Sequence, residues 1–425
     1  MCALLIGAIG LATGSFFAPI PSGGANAGGR YHARRVFAIL SVSFTCPDPM
    51  SSTTQTKLDQ STGPVIQGTC SVCFCFDVGQ AIDLNTAADI LTRSSALPSP
   101  QREQLQLRRR APRYFNFDPA PVRFLQTCEP VTRAGFQLAP KSETTLYDFG
   151  GASVVYTFPI AGNLGNLVAL AIALAEDETL LQRAREQLEG ILPSLSPAIT
   201  RLRFDPLAED YITFQFDRFG EPSDNLDDLL RTHRPLMAQI LRGDTSALSP
   251  QEIDEALSSR ISYSESDAAI LDFAAGFIIG PDASDLLDLI EFANVELLEM
   301  RHLDEALDDA LEEVYPSLSQ TPRGRAGTRR LRRVAMLQAD AAILFEGVNN
   351  AIKLVGDHYL ARFYRRLTDR LHHPEWDASV LRKLGVLESI YQKLNDQQST
   401  RRMEVLEWII IILIALSMVL PFYQH

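Results

Sequence analysis

The sequence predicts an α+β fold: an N-terminal α+β domain, then a helical hairpin or bundle, then a long C-terminal helix ending in one transmembrane segment. Three observations point there. Strand-like alternation is concentrated before about residue 225, helical periodicity in two oppositely charged arms follows it, and Trp408 to Tyr423 is a charge-free, mostly Ile, Leu, Val and Met run. The boundaries read as 1–67 leader and linker, 68–225 α+β domain, 226–404 helical hairpin or bundle, and 405–423 transmembrane helix. With 425 residues, 46% hydrophobic and 21% charged, there is chain enough for two folded units. A formal net charge of -13 argues against a general nucleic-acid binder, although its uneven distribution means that local patches must be judged separately.

Residues 1–47 contain no Asp or Glu, and the first cations are Arg30, Arg34 and Arg35. An acid-free, Ala, Gly and Ser-rich start is compatible with an organellar presequence, a secretory signal with Ala25-Asn26-Ala27 imitating a cleavage site, or a misassigned start. Residues 48–69 are rich in Ser, Thr, Pro and Gln and read as linker. The six cysteines, Cys2, Cys46, Cys70, Cys73, Cys75 and Cys128, do not form a disulfide framework in so long a chain. Cys70-x-x-Cys73 would need two more ligands to hold zinc, and no His occurs between His32 and His233. Alternation through 70–78 instead predicts a buried strand with thiols as small apolar residues.

A short helix follows from near Asn85, then a polar, Arg-rich loop or insertion through Arg113. Leu146 to Pro159 reads as two β runs about Gly150-Gly151, a hairpin, because glycine takes positive φ without steric cost. Asn163 to Leu192 has helical spacing, ended by Gly190 and Pro193, and Asp210 to Phe216 alternates as a half-buried strand.

After about 225 no strand is expected. Between 251 and 320 eighteen acidic residues stand against Arg260 and Arg301 alone, a local charge of -16, whereas 321–370 carries +7. An antiparallel hairpin would lay one arm against the other across Thr321 to Gly327. The last helix starts at Pro374, and Val380, Leu384, Leu387, Tyr391 and Leu394 form a four-three seam that runs in phase into the tail. A homo-oligomer is one expectation from that seam, with Asn395 and Gln398 able to set register or simply to face water.

Sixteen tail residues rise about 24 Å, slightly short of a roughly 30 Å hydrocarbon core, so Val405 and Leu406 or local thinning would complete the span. The anchor residues are Trp408, Ile409, Ile410, Ile411, Ile412, Leu413, Ile414, Leu416, Met418, Val419 and Leu420. Arg401 and Arg402 set the topology by the positive-inside rule, leaving the bulk of the chain on the cytoplasmic or matrix-like side. The expected partners are therefore a membrane, through one helix, and a protein or ribonucleoprotein.

Phe292 to Arg301, Gly356 to Tyr364, Trp376 to Leu384 and Arg401 to Trp408 resemble the "required for meiotic nuclear division" family, also called Sad1-interacting factors. The resemblance implies an α+β domain, a helical hairpin and a C-terminal transmembrane helix. Eukaryotic relatives are mitochondrial membrane proteins that support mitochondrial translation, which implies a mitochondrial inner membrane in a eukaryote and a bacterial inner membrane otherwise. No family catalytic residues transfer to this chain.

Glu299-x-x-His302 and Asp369-x-x-His372 each place two ligands on one helix face, the spacing of helical di-iron proteins, with Glu291, Glu296 or Glu346 as further donors. The density of carboxylates makes such spacing common by chance. GxxxxGK[ST], HExxH, GxSxG and dinucleotide glycine motifs are absent, and Gly162-Asn-Leu-Gly165 reads as a helix cap. Arg323, Arg325, Arg329, Arg330, Arg332 and Arg333 form the densest basic cluster and would bind RNA phosphates or anionic head groups unless the acidic arm neutralises them. Arg362, Arg365 and Arg366 form a solvated or partner-facing stripe, and Trp376 reads as core. The sequence reading is a non-enzymatic scaffold or tether with no cofactor, catalytic or metal residues assigned. Its alternatives are a ribosome- or RNA-associated translation-support factor and a di-iron-like metal-dependent enzyme.

Overall fold

The computed structural model describes residues 63–93, 106–108, 120–319, 333, 336–339, 341–342 and 358–419, apart from 176, 222, 281 and 282. In chain order the elements begin with β1 (Val65–Asp77), β2 (Ala81–Ile82), α1 (Leu84–Thr92), β3 (Gln106–Arg108), β4 (Val122–Thr127), β5 (Thr132–Arg133) and β6 (Phe136–Gln137). They continue with β7 (Lys141–Leu146), β8 (Gly151–Asn163), α2 (Asn166–Ala175), α3 (Glu178–Leu195), β9 (Ile199–Thr200) and β10 (Ala208–Phe219). The remainder is α4 (Leu226–Thr232), α5 (Arg234–Arg242), α6 (Pro250–Ala256), β11 (Ser259–Ile261), β12 (Ala268–Leu271), β13 (Ala275–Ile279), α7 (Ser284–Ser319), α8 (His358–Arg370) and α9 (His373–Val419).

Nine strands form one sheet in the order β11-β12-β13-β10-β1-β8-β7-β4-β3, parallel only where β10 meets β13. The long central strands β1, β8 and β10 set its length, about 40 Å for thirteen residues. Period two sorts their side chains. Cys70, Val72, Phe74 and Phe76 of β1, with Phe214 and Phe216 of β10, face one apolar core beneath α1, α2, α3 and α5. Cys73, Cys75 and Tyr211 face a second core beneath α7, α8 and α9.

The expected hairpin is β7–β8, and Gly150 at φ 101° turns it. A Cβ there would lie 1.9 Å from the Gly79 carbonyl oxygen, so this turn requires glycine twice over. At Gly68, beside a register shift in β1, a Cβ would stand 1.9 Å from the Gln215 carbonyl oxygen. The short helix expected from near Asn85 is α1, which starts at Leu84 and is capped by Asp83, its carboxylate accepting from the Asn85 and Thr86 N–H groups. The helix expected over 163–192 is instead the pair α2 and α3, split where Asp177 caps α3, with Gly190 and Pro193 inside α3. β10 is buried on both faces rather than half-buried, because helices cover both sides of the sheet.

Strands do occur after residue 225. β11, β12 and β13 extend the sheet that β1–β10 begin, so the helical bundle expected from 226 onward is interrupted by sheet. Ala268–Leu271 and Ala275–Ile279 are buried throughout. A strand covered on both faces loses the alternation by which strands are read.

The transmembrane ending is corrected as well. Among the described residues no helix is long and apolar enough to cross a membrane. α9 runs from His373 to Val419, about 70 Å, yet only Trp408–Val419 of it is charge-free, about 18 Å against a roughly 30 Å core. Arg401, Arg402, Glu404 and Glu407 lie immediately upstream. The anchor from Trp408 to Leu420, the topology role of Arg401 and Arg402, the membrane as partner and both inner-membrane locations rested on that span and are withdrawn. Leu420 lies outside the described residues, and Trp408 to Leu413 are exposed along α9. The seam that precedes them is filled within the chain: Val380 and Leu387 are buried in the second core, where α9 packs on α7.

Candidate functional site

β1 ends at Asp77, whose side chain is fully buried. Backbone pairing brings 201–205 alongside that exit: the Arg203 N–H donates to the Val78 carbonyl at 3.1 Å and the Asp205 N–H to the Asp77 carbonyl at 3.1 Å. The Asp77 carboxylate accepts from the Gly79 N–H at 2.9 Å and pairs through Oδ2 with the Arg203 guanidinium. Burial pushes the Asp77 carboxyl above the ordinary carboxylate range, while Arg203 and His302 pull it back. Asp205 is oriented by the Leu207 N–H, which donates to its Oδ1 at 2.8 Å.

His302 reaches this pair from α7. Its Nε2 lies 3.5 Å from Asp77 Oδ2 and its Nδ1 3.2 Å from Asp205 Oδ2. One ligand atom from each of Asp77, Asp205 and His302 lies within 4.8 Å of the others. Two carboxylates and an imidazole form a donor set suited to a divalent first-row metal. An imidazole ligates through one nitrogen, and the carboxylate on the other fixes its orientation, which is the usual outer-shell arrangement.

Beside the cluster is a cleft of about 260 Å³. Its polar wall includes Arg201, Arg203, Glu299, His302 and Arg333, and its apolar wall includes Phe149, Leu303, Met336 and Leu337. Arg201 holds φ 51°, a left-handed conformation that a non-glycine residue adopts at a cost of about 1 kcal/mol.

The structure therefore splits the di-iron expectation. Glu299 and His302 do reach one cleft, but His372 is exposed at the end of α8, its Nδ1 3.7 Å from Glu375. Glu291 instead accepts from Ser153 and pairs with Arg123 at 3.0 Å. Glu296 accepts from the Tyr364 hydroxyl and lies 3.5 Å from His373 Nδ1. Glu346 lies outside the described residues. Cys70 and Cys73 point to opposite faces of β1, while the Cys73 and Cys75 sulfurs lie 3.6 Å apart, both buried and free.

Of the basic cluster, Arg323, Arg325, Arg329, Arg330 and Arg332 lie outside the described residues. Arg333 stands 3.8 Å from Asp309 and lines the cleft. Opposite charges also meet where Lys383 reaches Asp304 at 2.8 Å and Asp308 at 2.6 Å. Arg362, Arg365 and Arg366 are exposed, and Trp376 is partly buried against the second core with the Arg301 guanidinium 5.9 Å from its ring centre. Asp77, Arg201, Arg203 and Asp205 were not singled out from the sequence. The available signal was the acid that ends the β1 apolar run and the Arg-Leu-Arg-Phe-Asp sequence of 201–205.

Comparison with known proteins reaches most of this frame. A family model described as "Uncharacterized protein MJ0711, N-terminal domain" matches residues 67–285. The "Uncharacterized protein MJ0711" of Methanocaldococcus jannaschii is 27% identical over 219 residues, 51% of this chain and 66% of that protein. The chain thus spans 66% of the length of the curated relative it matches. No solved structure matches. Asp77, Arg201, Arg203 and Asp205 fall inside the matched segment, whereas Glu299 and His302 fall beyond it. The match also ends before Phe292, ahead of every segment quoted for the meiotic nuclear division resemblance, and neither description carries a mitochondrial or meiotic term. Through residues 67–285, half its length, the chain belongs to the family of the MJ0711 N-terminal domain.

Proposed function

We propose that the chain is a divalent-cation-dependent enzyme acting on a small molecule, with the cluster of Asp77, Asp205 and His302 as its metal site, one carboxylate ligating beside the imidazole and the other holding the ring from its second nitrogen. The observation that carries this reading is the convergence of three potential ligand atoms within 4.8 Å, contributed by a strand end, a loop and a helix distant in sequence. A bound cation would supply Lewis acidity or an activated water. Arg203 holds the Asp77 carboxylate, and the Leu207 N–H holds that of Asp205. Glu299 in the same cleft supplies a carboxylate for proton transfer. This reading takes up the metal-dependent alternative of the sequence and sets it ahead of the scaffold on the strength of the three converging groups.

The test is metal titration of the full chain by calorimetry with Mn²⁺ and Zn²⁺. Wild type is expected to bind one equivalent, and Asp205→Asn and His302→Gln to weaken it at least about tenfold with unchanged circular dichroism. Absence of wild-type binding, or variants that bind as well as wild type, would show that the three groups are an ion-pair network and nothing more.

A further inference from the structure

We infer that the cleft beside Asp77 binds a small ligand carrying a phosphate-class oxyanion on an apolar body. This deepens the proposed cation-dependent function by naming its substrate class, and it adds Arg201, which has no part in the cation site. Arg242 is shared between Glu252 and Asp272, Arg370 between Glu255 and Asp272, and Arg123 among Glu143, Asp288 and Glu291. Arg201 is exposed, makes no ion pair among the described residues and lines the cleft, so its guanidinium is open to a ligand there. It is held there in a left-handed backbone conformation that arginine has no intrinsic reason to adopt.

Arg203, two residues on, is pinned by the buried Asp77 yet remains half exposed. A guanidinium has five N–H donors, so one carboxylate oxygen leaves most of its fork for a second partner. The fork matches phosphate and carboxylate geometry, and Arg201, Arg203 and Arg333 against the single Glu299 carboxylate leave the lining cationic, which favours the doubly charged phosphate. Phe149, Leu303, Met336 and Leu337 give the same lining an apolar part, which suits an apolar or aromatic remainder. At about 260 Å³ the cleft is below the roughly 300 Å³ of drug-sized pockets, so it accepts a small molecule and not a chain.

Phenyl phosphate, inorganic phosphate and benzoate serve as probes in calorimetric titration of the full chain, with Mn²⁺ and separately with EDTA. Phenyl phosphate is expected to bind at least tenfold more tightly than either of the others. Arg201→Ala should lower that affinity at least tenfold while leaving Mn²⁺ binding unchanged, and Arg201→Gly, which relieves the backbone, should do the same. Equal affinity for inorganic phosphate overturns the apolar body, tighter binding of benzoate overturns the phosphate, and an unaltered Arg201→Ala overturns the site. If Mn²⁺ does not bind but phenyl phosphate does, in an Arg201-dependent way under EDTA, the oxyanion site stands and the metal reading falls.

Discussion

One face of the nine-stranded sheet is covered mainly by apolar side chains, the other by many charges that need distant partners. Beneath α1, α2, α3 and α5 the core is Phe, Leu, Ile and Val, and besides the ion pairs Arg133–Asp177 and Arg242–Asp272 its polar groups include a neutral network. There the Gln187 amide donates to Gln126 Oε1 at 2.6 Å and to the Ser142 hydroxyl at 2.8 Å, and the Tyr156 hydroxyl donates to Gln187 Oε1 at 3.1 Å. Beneath α7 and α8 the polar groups are ionisable: Arg123 with Asp288 and Glu291, Arg301 with Glu209, Tyr364 and His373 with Glu296. Burial works against the charge on Arg123, but Glu291 and Asp288 more than offset it and raise its pKa. The cleft opens on the ionised side. On that side Asp77 is fully buried while Arg203, its partner, is half exposed at the cleft.

Equal damage to the two faces should differ in its response to pH, and this is the largest expected effect. Phe214→Ala removes a fully buried ring from the neutral side, and Arg123→Ala strands Asp288 and Glu291 on the other. Each should cost about 3–5 kcal/mol in urea unfolding at pH 8. At pH 5 the Arg123→Ala loss should shrink, since Asp288, whose pKa burial raises to about 6, can take up a proton, while the Phe214→Ala loss stays constant. An Arg123→Ala cost below about 1 kcal/mol would mean that the ionised face is wet.

Asp288 sharpens the same contrast. Burial raises its pKa from 3.8 to about 6, with Arg123 opposing and Glu291 adding to the shift. Because the folded state binds this proton more tightly than the unfolded chain, the contribution is fully present below about pH 3.8 and is lost as pH rises through about 6. Asp288→Asn should therefore remove a decline of up to about 3 kcal/mol between pH 4 and pH 7, taking 1.36 kcal/mol per pKa unit. Parallel stability profiles for wild type and Asp288→Asn would refute the assignment. The smallest effect belongs to the cleft rim: Arg201→Gly should exceed Arg201→Ala in stability by about 1 kcal/mol, since only glycine is at ease at φ 51°. Equal stabilities would show that the loop relaxes when the arginine is lost.

The apolar face was legible before any coordinates. Alternation through Cys70 to Phe76 marked β1, Gly150-Gly151 marked the β7–β8 turn, and Leu146 and Val154 fell on its inward side. β12 and β13 were not legible, because strands buried on both faces show a continuous apolar run that a helix reading can absorb. The tail misled for a related reason. Composition around Trp408 showed apolarity, but among the described residues no helix is long and apolar enough to cross a membrane.

Half of the site was visible as Glu299-x-x-His302, since an i, i+3 pair is a property of one helix. Asp77 and Asp205 carried no comparable signal, being 128 residues apart and meeting only because 201–205 pairs with the exit of β1. Local sequence thus determined the periodic elements, the caps and the turn glycines, all of which depend on neighbours within a few residues. The tertiary structure alone decided which buried charges were paired, which thiols shared a face and which three potential ligand groups met. Those outcomes depend on strand register and on how α7 lies across the sheet, and neither is encoded within any one element.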